Sequence, residues 1–185
     1  IANAAGTVST RVAILRVLKI PGSQSVLFET GFEPEENYDI TVALTGQNSW
    51  QGTSAAGTGF GNEIFPDNGF QAAIGGTAPD NLDVFNGMLL WRRQNVNPVL
   101  TGWPQLLFSV DLAFLDSSND RQDRFQWSLF DQTENRLFTV DFNLKSREIS
   151  YFLDQPNQLI DTGSTFQFGR VVRMLIRMDF LSNRW

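Results

Sequence analysis

The side chains available for chemistry are few in kind. The 185 residues include no histidine and no cysteine. That removes Ser-His-Asp and Cys-His triads, a histidine base, His-ligated zinc, thiolate nucleophiles, iron–sulfur clusters and disulfides. Carboxylates, Arg, Lys, Tyr, amides and hydroxyls remain. Glu33 and Glu35 have the i, i+2 spacing that places two carboxylates on one strand face, but Pro34 lies between them, so Glu33-Pro-Glu35-Glu36 reads as a turn. Asp116, Asp120 and Asp123 supply closely spaced oxygen ligands of the kind calcium prefers. That run lacks the glycine and terminal Glu of an EF-hand, and Arg121 and Arg124 offset its charge, so a polar hairpin loop is the competing reading. No other cofactor is suggested.

Two further sets could hold a ligand without transforming it. Asp111, Gln126, Ser128, Asp141, Asn143, Arg173, Arg177 and Asp179 occupy alternate positions in strand-like runs, with Phe130 beside them. On one sheet face they could grip sugar hydroxyls, or simply pair with one another across strands at about 0.2–1 kcal/mol each. Trp50, Trp91, Trp103 and Trp185 lie in or near loops and strand ends, where an indole could face a glycan. Trp103, between Gly102 and Pro104, is the first candidate, whereas Trp127 falls in an apolar set and belongs to the core. The net charge of −6 disfavours nucleic acid, and Arg92-Arg93 is too short for a phosphate-binding patch.

These side chains need strands to position them. Leu106 to Phe114, Phe125 to Leu129, Phe138 to Leu144, Ile149 to Leu153 and Val172 to Phe180 each alternate with period two, one face apolar and the other mixed. Such runs specify antiparallel strands packed on a core from one side. Asp131–Asn135 and Lys145–Arg147 have hairpin lengths, and Asp154–Gly163 is long enough to carry the chain to another sheet. Shorter runs at Val26–Phe28, Phe60–Phe65, Phe70–Ile74 and Met88–Trp91 sit among Gly, Asn and Pro. Val8–Leu18 is rich in β-branched residues and also reads as a strand. The expected fold is all-β, a two-sheet antiparallel jelly-roll sandwich. No stretch approaches the twenty apolar residues of a membrane span, and the start does not read as a signal peptide.

Phe28-Glu-Thr-Gly-Phe, Leu44-Thr-Gly-Gln-Asn-Ser-Trp50 and Gly69-Phe-Gln-Ala-Ala-Ile-Gly75 resemble the opening strands of concanavalin A-like, LamG-type jelly rolls. Those domains occur in large secreted bacterial proteins. Arg177–Trp185 looks like that family's late strand, so residues 26–185 are expected to be the jelly roll, cut short at its end. Asn3–Val17 resembles the last hairpin of an immunoglobulin-like domain, which needs about 100 residues. Residues 1–18 are therefore expected to be a remnant of such a domain, or an extra edge strand pairing with its own sheet or a neighbouring chain, the alternative being that Val8–Leu18 is simply the first strand of the jelly roll itself. Lys19–Ser25 would be the linker.

The resemblance implies an extracellular or cell-surface protein. Glycanases on this fold use a Glu-x-Asp-x-x-Glu run, and alginate lyases on it use His and Tyr. The first run and the histidine are both missing here. The expectation is a non-catalytic carbohydrate-binding or adhesion module. The alternatives are a glycoside hydrolase with carboxylates drawn from separate strands, and an inert spacer.

Overall fold

A computed structural model describes residues 7–18, 24–53, 58–62, 69–75, 89–97, 104–115, 124–153 and 158–185. Among them the chain is all-β: one short 3-10 turn, Pro34–Glu36, interrupts twelve strands, and no α-helix occurs. No helix there is long and apolar enough to cross a membrane.

The strands are β1 (Thr7–Leu18), β2 (Gln24–Thr30), β3 (Trp50–Gly52), β4 (Thr58–Gly61), β5 (Gln71–Ile74) and β6 (Leu90–Arg92). They continue as β7 (Gln105–Leu115), β8 (Arg124–Phe130), β9 (Arg136–Asn143), β10 (Glu148–Leu153), β11 (Leu159–Thr165) and β12 (Val171–Asp179). A six-stranded sheet has the order β12-β7-β1-β5-β4, with β2 also paired to β1. A four-stranded sheet has the order β11-β10-β9-β8, and β3 and β6 form a separate ribbon. Every pairing is antiparallel.

Period-two alternation explains how the two larger sheets meet. Val110, Leu112 and Phe114 of β7 and Met174 of β12 share a buried cluster with Phe125 of β8 and Phe142 of β9. Phe114 has no exposed surface, and its ring centroid lies 5.7 Å from Phe125, 4.7 Å from Phe142 and 4.5 Å from Phe166. Phe108 meets Trp127 at 4.9 Å, which puts Trp127 in the core as its alternation requires. A smaller cluster of Leu106, Phe138 and Met178 closes one end. There Trp185 folds back onto Phe138 and Phe180, at 5.5 and 5.4 Å.

Three expectations change. The alternating runs do not lie in one sheet: β7 and β12 belong to the six-stranded sheet, and β8, β9 and β10 to the four-stranded one. Each sheet has a single apolar face, so the two faces must cover each other. Leu159–Thr165 is a strand rather than a connection, pairing with β10 through an irregular register. It shows no alternation because it is an edge strand, exposed from Asp161 to Thr165. Finally, β1 is interior. It pairs with β7 along one side and with β2 and β5 along the other, so it is not an added edge. Gln24 and Ser25, expected in a linker, are ladder residues of β2 opposite Leu18 and Val17.

Phe114→Ala should lower stability by about 3–5 kcal/mol, because it empties the point where both sheets meet. Urea unfolding followed by tryptophan fluorescence measures this. A shift no greater than that of the exposed Leu175→Ala would mean the rings do not couple the sheets.

Candidate functional site

The described surface has a cleft of about 260 Å³ where the end of β2 meets the 3-10 turn, the loop after it and β6. Local hydrogen bonding shapes its walls. Thr30 is buried, and its hydroxyl oxygen accepts the Phe32 N–H at 3.0 Å, which turns the chain out of β2. Phe32 then takes a left-handed conformation, φ 64°, unusual for a bulky residue. Packing against Tyr38 and Trp50, at ring distances of 5.6 and 6.2 Å, holds it there.

The carboxylate of Glu36 ties this turn together. It accepts the Gly31 N–H at 2.9 Å, the Glu33 N–H at 3.1 Å and the Thr30 hydroxyl at 2.9 Å. The Glu33 bond is the return half of a capping box. Thr30 Oγ1 also lies 3.3 Å from the buried Tyr38 hydroxyl, which accepts the Trp50 indole N–H at 3.1 Å. The Thr30 hydroxyl therefore has two acceptors within reach, Glu36 at 2.9 Å and Tyr38 at 3.3 Å. Side-chain bonds thus link Trp50, Tyr38, Thr30 and Glu36 into one network. Glu33 reaches the other way and accepts the Phe70 N–H at 3.0 Å, pinning the approach to β5.

The opposite wall is a tight turn ending at Trp50, in which Asn48 and Ser49 both have positive φ, 45° and 68°. The Asn48 amide donates to the Glu36 carbonyl at 3.0 Å, joining the two walls. Arg92 sits opposite Trp50 in the β3–β6 ribbon. Its Nε donates to the Asn48 backbone carbonyl at 3.1 Å, and its guanidinium carbon lies 3.8 Å from the Phe28 ring centroid. Burial pulls the Arg92 pKa below its ordinary value, with the nearby Tyr38 working weakly the other way.

The lining residues thus fall into two groups. Thr30, Glu36 and Tyr38 are consumed in bracing the walls. Among the described residues, the Glu29 carboxylate, the Asn48 side-chain oxygen Oδ1, the Ser49 hydroxyl and both Arg92 Nη atoms have no protein partner.

The sites expected from sequence are placed differently. Asp111 accepts two bonds from Arg173, at 2.7 and 2.8 Å, and Arg177 donates to Gln105 at 2.8 Å, all on the outer face of the six-stranded sheet. Asp141 accepts from Gln126 at 2.8 Å and from Arg124 at 2.6 to 3.1 Å on the outer face of the four-stranded sheet. The expected single polar face is therefore two faces pointing away from a common core, and their groups are engaged with each other.

Phe130 is exposed at the end of β8. Trp91 is exposed and donates to Gln51 at 2.9 Å, on the face of the ribbon opposite Arg92. Trp50, expected near the surface, is buried. Trp103, Asp116, Asp120 and Asp123 lie outside the described residues. Among the described residues no three acidic side chains gather as a metal-binding group. The sequence does not single out Phe28, Asn48, Ser49 and Arg92 as a site. The usable signal is the alternation in Leu90-Trp91-Arg92, which sends Arg92 inward when Trp91 points out.

Comparison with family models, curated proteins and solved structures gives no match.

Three variants test this geometry. Arg124→Ala should cost about 1–3 kcal/mol, discounted for the partial exposure of Arg124, because it strips charge-assisted bonds from a fully buried Asp141. Arg173→Ala should destabilise less than Arg124→Ala, since the Arg173 side chain is 72% exposed even though its partner Asp111 is buried. Gly69→Ala should cost about 1–3 kcal/mol by thermal melting, because Gly69 has φ 71° and a Cβ there would overlap the Glu33 carboxylate.

Proposed function

We propose that the chain is a non-catalytic carbohydrate-binding module on a concanavalin A-like jelly roll, and that the cleft beside Arg92 takes the sugar. One observation carries the reading. Side-chain groups of Asn48, Ser49 and Arg92 that have no partner among the described residues converge in the cleft, whereas Asp111 with Arg173 and Asp141 with Gln126 are paired on the two sheet faces.

Sugar hydroxyls donate and accept, and the cleft offers both functions: donors from Arg92, an acceptor from Asn48, and either from Ser49. The bonded turns behind these groups limit the ordering cost of binding. Glycoside hydrolysis ordinarily needs two carboxyl groups flanking the bond. Here Glu36 is saturated by the turn it braces, leaving Glu29 as the only unengaged carboxylate among the described lining residues. The two-sheet antiparallel architecture and the Phe28, Leu44–Trp50 and Gly69–Gly75 segments support the jelly-roll assignment. Secretion and a place on a bacterial surface go with that resemblance.

A labelled chain titrated with an oligosaccharide panel should show amide shifts concentrated at residues 28–30, 48–49 and 92, with dissociation constants of about 10 µM to 1 mM. Shifts confined to the Asp111–Arg173 or Gln126–Asp141 faces would overturn the cleft as the site. Absence of binding across the panel would overturn the function.

A further inference from the structure

We infer that the cleft takes the planar carboxylate of an acidic sugar, an inference that rests on the carbohydrate reading above. The determining residue is Arg92. Stacking on Phe28 at 3.8 Å and the Nε bond to Asn48 at 3.1 Å fix the guanidinium plane on one face and one edge. Both Nη groups stay without a protein partner among the described residues, and no carboxylate there lies within ion-pair distance. The cation therefore loses hydration without gaining a counter-charge, an arrangement that an arriving anion would repay.

Its geometry selects the kind of anion. A locked guanidinium presents parallel N–H donors that match a carboxylate in two bonds, a match a lysine cannot make. A sulfate or phosphate carries charge that calls for several cations, and Arg92 is the only cation among the described residues lining the cleft. Glu29 and Glu36 share that lining and the chain carries −6 overall, so further negative charge meets repulsion. One carboxylate on an otherwise neutral sugar fits both limits. Its hydroxyls would find Asn48 and Ser49, which border Arg92 in the cleft.

The test uses uronic-acid oligosaccharides, their methyl esters and neutral oligosaccharides, with a peptide ending in a free carboxylate as the sugar-free arm. The free acid should bind about tenfold or more tighter than its ester at low salt, and the margin should shrink as salt rises. Arg92→Gln should abolish the preference, and Arg92→Lys should retain only part of it. Since Arg92 also covers Phe28, Ser49→Gly provides a variant safe for folding. It keeps a residue suited to positive φ, so it should weaken sugar binding several-fold without lowering the melting temperature. Equal binding of acid and ester overturns the carboxylate assignment and leaves the carbohydrate reading standing. Capture of the peptide carboxylate with no sugar bound overturns the carbohydrate reading. No binding by any probe overturns both.

Discussion

The ring of Phe114 belongs to a strand of the six-stranded sheet, yet the rings it touches come from β8, β9 and the segment after β11. Closing the two sheets over this contact constrains most of the remaining architecture. With no cysteine in the chain, no disulfide shares the task, so association of the sheets rests on apolar burial. Once the apolar faces are committed inward, period-two geometry commits Asp111, Asp141 and their partners outward. The aromatic trio under the cleft, Phe32, Tyr38 and Trp50, joins the same buried cluster as Phe114. The site is therefore anchored to the main core rather than carried on a free loop.

Legibility in the sequence tracks how much of each element is decided by its own residues. β7, β8, β9, β10 and β12 alternate because each is half-buried along its length, and loop length dictates their hairpin turns. β11 is hidden because an edge strand exposed along most of its length has no apolar face to announce it. β3 and β6 are three residues each, so the only pattern that can register is the single alternation that sets Trp91 and Arg92 on opposite faces. The division of strands between sheets is a long-range matter. β12 returns to pair with β7 across more than fifty residues of chain, and no local pattern encodes that partner.

The candidate site is legible only in part, and for a related reason. Charged residues at alternate strand positions are conspicuous in sequence, but strand pairing sets them beside complementary groups, where Asp111 meets Arg173 and Asp141 meets Gln126 in register. Conspicuous charge on a sheet is thus the charge most readily neutralised by its neighbour. The cleft draws instead on residues distant in the chain, among them Phe28, Asn48 and Arg92, brought together by a turn, a ribbon and a ring stack.

The conformations of the cleft walls bear on whether that gathering is incidental. A turn serving only chain reversal could place glycine where φ is positive, at no steric cost. Here Phe32 and Ser49 hold such positions, each with a strain of roughly 1–3 kcal/mol. For Phe32 the compensation is visible, because its ring is buried in the core and its N–H is bonded to Thr30. Ser49 has neither: it is exposed, and its hydroxyl meets no protein group among the described residues. Its neighbours Asn48 and Arg92 are held by bonds on one side and left open on the other. Under the proposed sugar-binding role, the strain at Ser49 and the charge of Arg92, which has no counter-charge among the described residues, would both be offset by the bound sugar.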